Sequence, residues 1–195
     1  MASAASRLLP LAVIGEGALA LAGGVWLYLG AYPVSLGATP AALAAGLGCA
    51  VVLSAVQWWL QRHAPGIGPV PYLRELRRTV FQPLFAPLSF AELVAISALA
   101  GLGEEIFFRG AMQSALGWPA ATIAFGLCHI GPGGRGWILV AWATAAGGVL
   151  AWLATVTGGL LAPIVAHAGY DLAALIWIRR EARRSPEAVD TGGAF

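Results

Sequence analysis

Six ionisable side chains stand inside stretches that are otherwise apolar: Glu104, Glu105, Arg109, His129, His167 and Asp171. A charged group at the centre of a bilayer costs about 2.5–3.5 kcal/mol even on lenient insertion scales. Their spacing suggests why they are kept. Glu105 and Arg109 are four residues apart, so a helix puts them on one face as an ion pair with the carboxylate on the N-terminal side. Glu104 is turned about 100° from its neighbour and is left without a local partner. One carboxylate is thus neutralised and the next stays free for proton transfer. His129 follows Phe125 by four residues on the same face. His167 and Asp171 form a second pair at that spacing, in which a carboxylate holding one ring nitrogen would fix the imidazole's tautomer.

Bland alternatives exist for each. The glutamates could anchor helix packing, His129 could cap carbonyls, and His167 with Asp171 could satisfy each other. Three helices that each turn polar groups out of an apolar interior are harder to explain as separate accidents. Other chemistries fit less well. Cys128 adjoins His129, but helix neighbours diverge. Ser97 and Ser114 have no evident base, and no G-x-S-x-G elbow occurs. Two histidines and a glutamate match a His₂Glu zinc site in type, yet there is no H-E-x-x-H. Zinc is therefore possible but not favoured, and no cofactor is expected.

The elements that must position these groups are membrane helices. Of 195 residues, 59% are hydrophobic and 10% charged, against about 25% charged in soluble domains. The net charge of +2 gives no reason to expect a nucleic-acid partner; the lipid bilayer is the expected surroundings. About 20 apolar residues cross the hydrocarbon, and the sequence offers spans near 8–29, 41–60, 90–116, 119–129, 137–156 and 160–178. Ser89 is the expected N-cap of the third, with Glu92 in its first turn. A Pro-rich connector, 61–89, carries an amphipathic stretch from Tyr72 to Phe85 that reads as a helix on the membrane surface. The expectation is an all-α, polytopic bundle of about six spans plus that surface helix.

Arg7, the arginines at 62–78, Arg135 and Arg179–Arg184 all fall on one side of a six-span arrangement. The opposite loops carry no Lys or Arg, so both termini are expected in the cytoplasm of a cell-membrane protein. The first apolar run is too long for a signal core and contains Glu16, so it reads as an uncleaved span. Glu16 is given no chemistry. Cys49 and Cys128 are expected to be free and buried. Residues 1–180 read as one domain, with a motif-bearing core at about 89–178 and a disordered tail at 181–195.

One difficulty arises in placing the polar groups at a common depth. Glu104 lies about 21 Å along a helix that starts at Phe90, whereas His129 ends the following span. A "GPGGRG" turn that dips into the membrane would reconcile them, since irregular backbone is tolerated where it lines a wet cavity.

The motifs resemble a known set. "EEIFFR" (Glu104–Arg109) fits E-E-x-x-x-R, "FGLCH" (Phe125–His129) fits F-x-x-x-H, and "HAGYD" (His167–Asp171) fits H-x-x-x-N/D. In order and spacing they are similar to those of the CAAX protease and bacteriocin-processing family, intramembrane glutamic endopeptidases related to type II CAAX prenyl endopeptidases. The resemblance implies an intramembrane endopeptidase that cuts near the end of an apolar, membrane-associated or lipidated polypeptide with an activated water. Glu104 would be the general base and His129 would hold the water. His167 and Asp171 would stabilise the oxyanion, with Glu105, Arg109 and Phe125 in support. An amide would be the more natural donor at 171, so Asp171 must be protonated or orient His167. Two other functions use the same residues differently: a non-enzymatic membrane protein of this fold, such as a bacteriocin-immunity or partner-sequestering factor, and a small transporter or proton relay.

Overall fold

Uninterrupted Ala-, Leu- and Gly-rich runs give two long N-terminal helices, α1 (Ala4–Gly30) and α2 (Pro40–His63). Thr39 caps α2: its side chain accepts a hydrogen bond from the Ala42 N–H at 3.0 Å, and Pro40 takes the first position, where no N–H is needed. The computed structural model describes residues 4–184, which are helical throughout apart from their connections.

After α2 come α3 (Val70–Leu76), a π-helical turn (Arg77–Phe81) and α4 (Gln82–Phe85). The expected amphipathic helix is present, although Tyr72, Leu76, Arg77 and Gln82 are buried against the bundle. At Ser89 the path bends by 115° into α5 (Phe90–Glu105). A reciprocal capping box fixes that corner. The Ser89 N–H donates to Glu92 at 2.7 Å, and the Glu92 N–H donates to the Ser89 hydroxyl at 3.2 Å. Past Glu105 the helix widens into a π segment (Ile106–Met112), then α6 (Gln113–Leu116). The remaining elements are α7 (Trp118–Cys128), α8 (Trp137–Thr157) and α9 (Leu161–Arg184).

Helix α9 is the central strut. It packs against α2 and α5, while α7 packs on α8 and α1 on α5. Small residues let backbones meet, as is usual in membrane bundles. A Cβ built on Gly101 would lie 2.9 Å from both the Ala168 Cβ and the Ile164 carbonyl, so α5 and α9 touch along a strip with no room for a larger residue. The loop before α2 lies beside the turn before α9: Leu160 and Leu161 donate their N–H groups to the carbonyls of Ser35 and Leu36 at 3.1 and 2.8 Å. Outward faces are apolar, with Leu11, Ile14, Leu21, Val51 and Val52 among the exposed side chains. In a membrane protein that is the face offered to lipid.

The helical bundle expected from the sequence is therefore present, with three local differences. Four helices are long and apolar enough to cross a membrane, and the bent pair Val70–Phe85 with Phe90–Leu116 brings the number to five. The fourth expected span, α7, has only 11 residues. That is about 16 Å of helix, half of a hydrocarbon core of about 30 Å. At the other end, α9 continues four residues into the expected tail, to Arg184, because Glu181 is tied back to α3–α4. The rest of that tail, 185–195, lies outside the described residues. Cys49 and Cys128 are both free, but Cys49 is only partly buried and Cys128 is exposed, since its side of α7 faces away from α8.

Candidate functional site

The short α7 resolves the depth problem. Glu104 lies 12 residues before Leu116, about 18 Å down the helix, and His129 lies 11 residues after Trp118, about 16 Å back up the antiparallel neighbour. The two meet at mid-depth, with His129 Nε2 3.8 Å from Glu104 Oε2. His129 is the C-cap of α7. Its Nδ1–H donates to the Phe125 carbonyl at 2.8 Å, and because a carbonyl only accepts, Nε2 is left with its lone pair toward Glu104. The sequence left Glu104 without a partner on its own helix; the partner comes from the next one.

Glu105 faces the other way and is fully buried. One oxygen, Oε1, receives both Arg109 Nη1–H at 3.0 Å and His167 Nδ1–H at 2.8 Å. Arg109 also donates from Nη2 to the Gly147 carbonyl of α8 at 3.0 Å. The pair thus links three helices: the α5 segment, α8 and α9. His167 Nε2 turns toward Asp171, whose Oδ2 is 3.6 Å away. The carboxylate that holds the imidazole by a short hydrogen bond is consequently Glu105, with Asp171 beside the other nitrogen. Sequence spacing suggested Asp171 for that task because only the i,i+4 neighbour is visible from one helix.

Phe125 is the packing hub of the group. The Arg109 guanidinium lies 4.2 Å over its ring, the His129 ring is 4.5 Å away, and the Phe108 and His167 rings stand at 5.3 and 5.8 Å. All the candidate residues are brought together. Glu104, Phe125, His129, His167 and Asp171 line one cavity of about 370 Å³. Its wall also includes groups that sequence reasoning did not single out: Gln57 and Gln61 of α2, Trp142 of α8, Tyr170 of α9 and Arg77. Trp142 Nε1–H donates to the Tyr170 hydroxyl at 3.0 Å, and that hydroxyl donates onward to Gln57 Oε1. The i,i+4 spacing of Gln57 and Gln61 in an apolar run was the one available signal.

Glu16 of α1 lies against Gly103, where an added Cβ would come within 2.9 Å of its Oε2. It therefore packs beside the Glu104 helix instead of standing out as a lipid-facing charge. Among the described residues no three His, Cys, Asp or Glu side chains converge in a geometry that could hold a metal ion.

Fold and site together define a polytopic helical membrane protein whose intramembrane acids, imidazoles and guanidinium surround one chamber. Residues 86–173, which hold the whole constellation, are similar to the family described as Type II CAAX prenyl endopeptidase Rce1-like. No curated protein and no solved structure matches the chain.

Proposed function

We propose that the chain is an intramembrane endopeptidase that hydrolyses a peptide bond of an apolar, membrane-associated or lipidated polypeptide with a water held between Glu104 and His129. The observation that carries this reading is the meeting of Glu104 Oε2 and the free His129 Nε2 across 3.8 Å on the wall of the chamber that also contains His167 and Asp171. Two acceptors at that separation can each take one hydrogen of a single water, which leaves an oxygen lone pair for the scissile carbonyl.

Glu104 removes a proton as the oxygen–carbon bond forms. The charge that develops on the carbonyl oxygen is met by a proton on His167 Nε2, with the ring held by Glu105 at Nδ1. Donors preorganised in this way contribute about 3 kcal/mol each. Asp171, 3.6 Å from Nε2, helps orient the ring that presents this proton. Collapse of the tetrahedral intermediate breaks the carbon–nitrogen bond, and Glu104 returns its proton to the departing amine. No metal is assigned a step. The chamber's apolar lining, including Phe81, Phe85 and Leu139, suits an apolar polypeptide. The one-sided arginines favour both termini in the cytoplasm of the cell membrane.

The test is Glu104→Gln in purified protein against a panel of membrane peptides, including prenylated ones. Cleavage is expected to fall about 10²- to 10⁴-fold, the range for a lost general base, while the helical content is kept. Unchanged cleavage by this variant, and by His167→Ala, would instead favour a non-enzymatic binding protein.

A further inference from the structure

Away from the acids of the chamber stands a cation that the proposed chemistry does not use. Arg77 lines the same cavity and is only 9% exposed. Its guanidinium carbon lies 4.3 Å over the Trp177 ring. Nη1 is 3.0 Å from Glu181 Oε2, within ion-pair distance but off the line of a hydrogen bond, and Nε has no partner either. Glu181 is itself shared with the Gln82 amide, which donates to it at 3.4 Å. Buried guanidinium N–H groups left unmade are costly, and arginine's planar fork matches a carboxylate.

We propose that Arg77 is the anchor for the C-terminal α-carboxylate of the peptide substrate. The inference rests on the peptidase reading above and adds the group that decides which end of a chain is accepted. Charge supports it. Glu104 and Asp171 crowd the reacting end of the chamber, where a substrate carboxylate is repelled, and Arg77 is the cation at the other end of the lining. Length supports it too. From Asp171 to the two α9 residues that hold Arg77, Trp177 and Glu181, the helix rises about 9 to 15 Å. An extended peptide covers that distance in about three or four residues. Gln57 and Gln61 lie on the wall between, with amide groups suited to a peptide backbone.

The experiment uses the full chain in dodecyl maltoside and one fluorogenic probe in two forms: an S-farnesyl peptide ending Cys-Val-Ile-Ala, as the free acid and as the C-terminal amide. Wild type is expected to prefer the acid by about ten- to hundred-fold in kcat/KM, the range of one charge-assisted contact, with the difference mainly in KM. Arg77→Gln should bring the acid-to-amide ratio to about one, and Arg77→Lys should restore part of it. A structural role alone would slow both forms and leave the ratio intact. If Arg77→Gln does not accumulate, Glu181→Gln, which removes the competing carboxylate, should raise the ratio several-fold. Equal cleavage of acid and amide by wild type, or a ratio that survives Arg77→Gln or ignores Glu181→Gln, overturns the anchor. Cleavage of neither form removes the peptidase reading and the anchor with it.

Discussion

Replacing Arg109 by methionine keeps most of the side chain's volume and removes its charge from beside a carboxylate that is 0% exposed. At 3.0 Å and an effective dielectric of about 20, the lost attraction is about 5.5 kcal/mol. Part of this was already offset by the cost of burying both groups, and breaking such pairs typically costs about 3–5 kcal/mol. Glu105→Leu should cost a similar amount, plus about 1–3 kcal/mol for leaving His167 Nδ1–H without its acceptor. In the double variant neither charge is orphaned, so only the His167 term and local repacking remain. We therefore expect the double variant to fall at least about 2 kcal/mol short of the sum of the singles. Reversible unfolding in mixed dodecyl maltoside and SDS micelles, followed by circular dichroism, measures all three. Additive losses would show that Glu105 and Arg109 are not the coupled unit that joins α5, α8 and α9.

Three further outcomes separate framework from chemistry. Ser89→Ala should cost about 1 kcal/mol by opening the capping box and leave kcat of the surviving folded protein within two-fold of wild type, about 0.4 kcal/mol, in the same micelles. Gly101→Ala should cost about 1–3 kcal/mol as α5 and α9 are forced apart. Because the same two helices carry Glu105 and His167, it should also lower kcat, which Ser89→Ala does not. Prolonged dialysis against a chelator, with metal content checked by mass spectrometry, should leave peptide cleavage unchanged; a loss restored by added zinc would refute the water activation proposed for Glu104 and His129.

Much of the bundle was legible because its signals are local. Composition marked the long helices, Ser89 and Glu92 marked a helix start, and the 100° between adjacent glutamates separated a paired acid from a free one. What the chain does not reveal locally is which distant helix supplies each partner. Spacing paired His167 with Asp171, and the fold gave its short hydrogen bond to Glu105, 62 residues earlier. Arg77 lies in an amphipathic stretch where an arginine is normally read as reaching for headgroups, and only the 115° bend after α4 accompanies its place on the chamber wall. The shortness of α7 was hidden as well, since "GPGGRG" marks a turn without stating its depth.

The abrupt end of α7 has a consequence for solvent. A helix that stops half-way across hydrocarbon exposes the carbonyls of its final turn where no lipid can bind them, and His129 covers two of these, that of Phe125 with its ring and that of Gly126 with its backbone N–H. Moisture at that level is thus demanded by the main chain as well as by the acids and imidazoles around it. Stripping the pocket of every titratable side chain would not leave it dry.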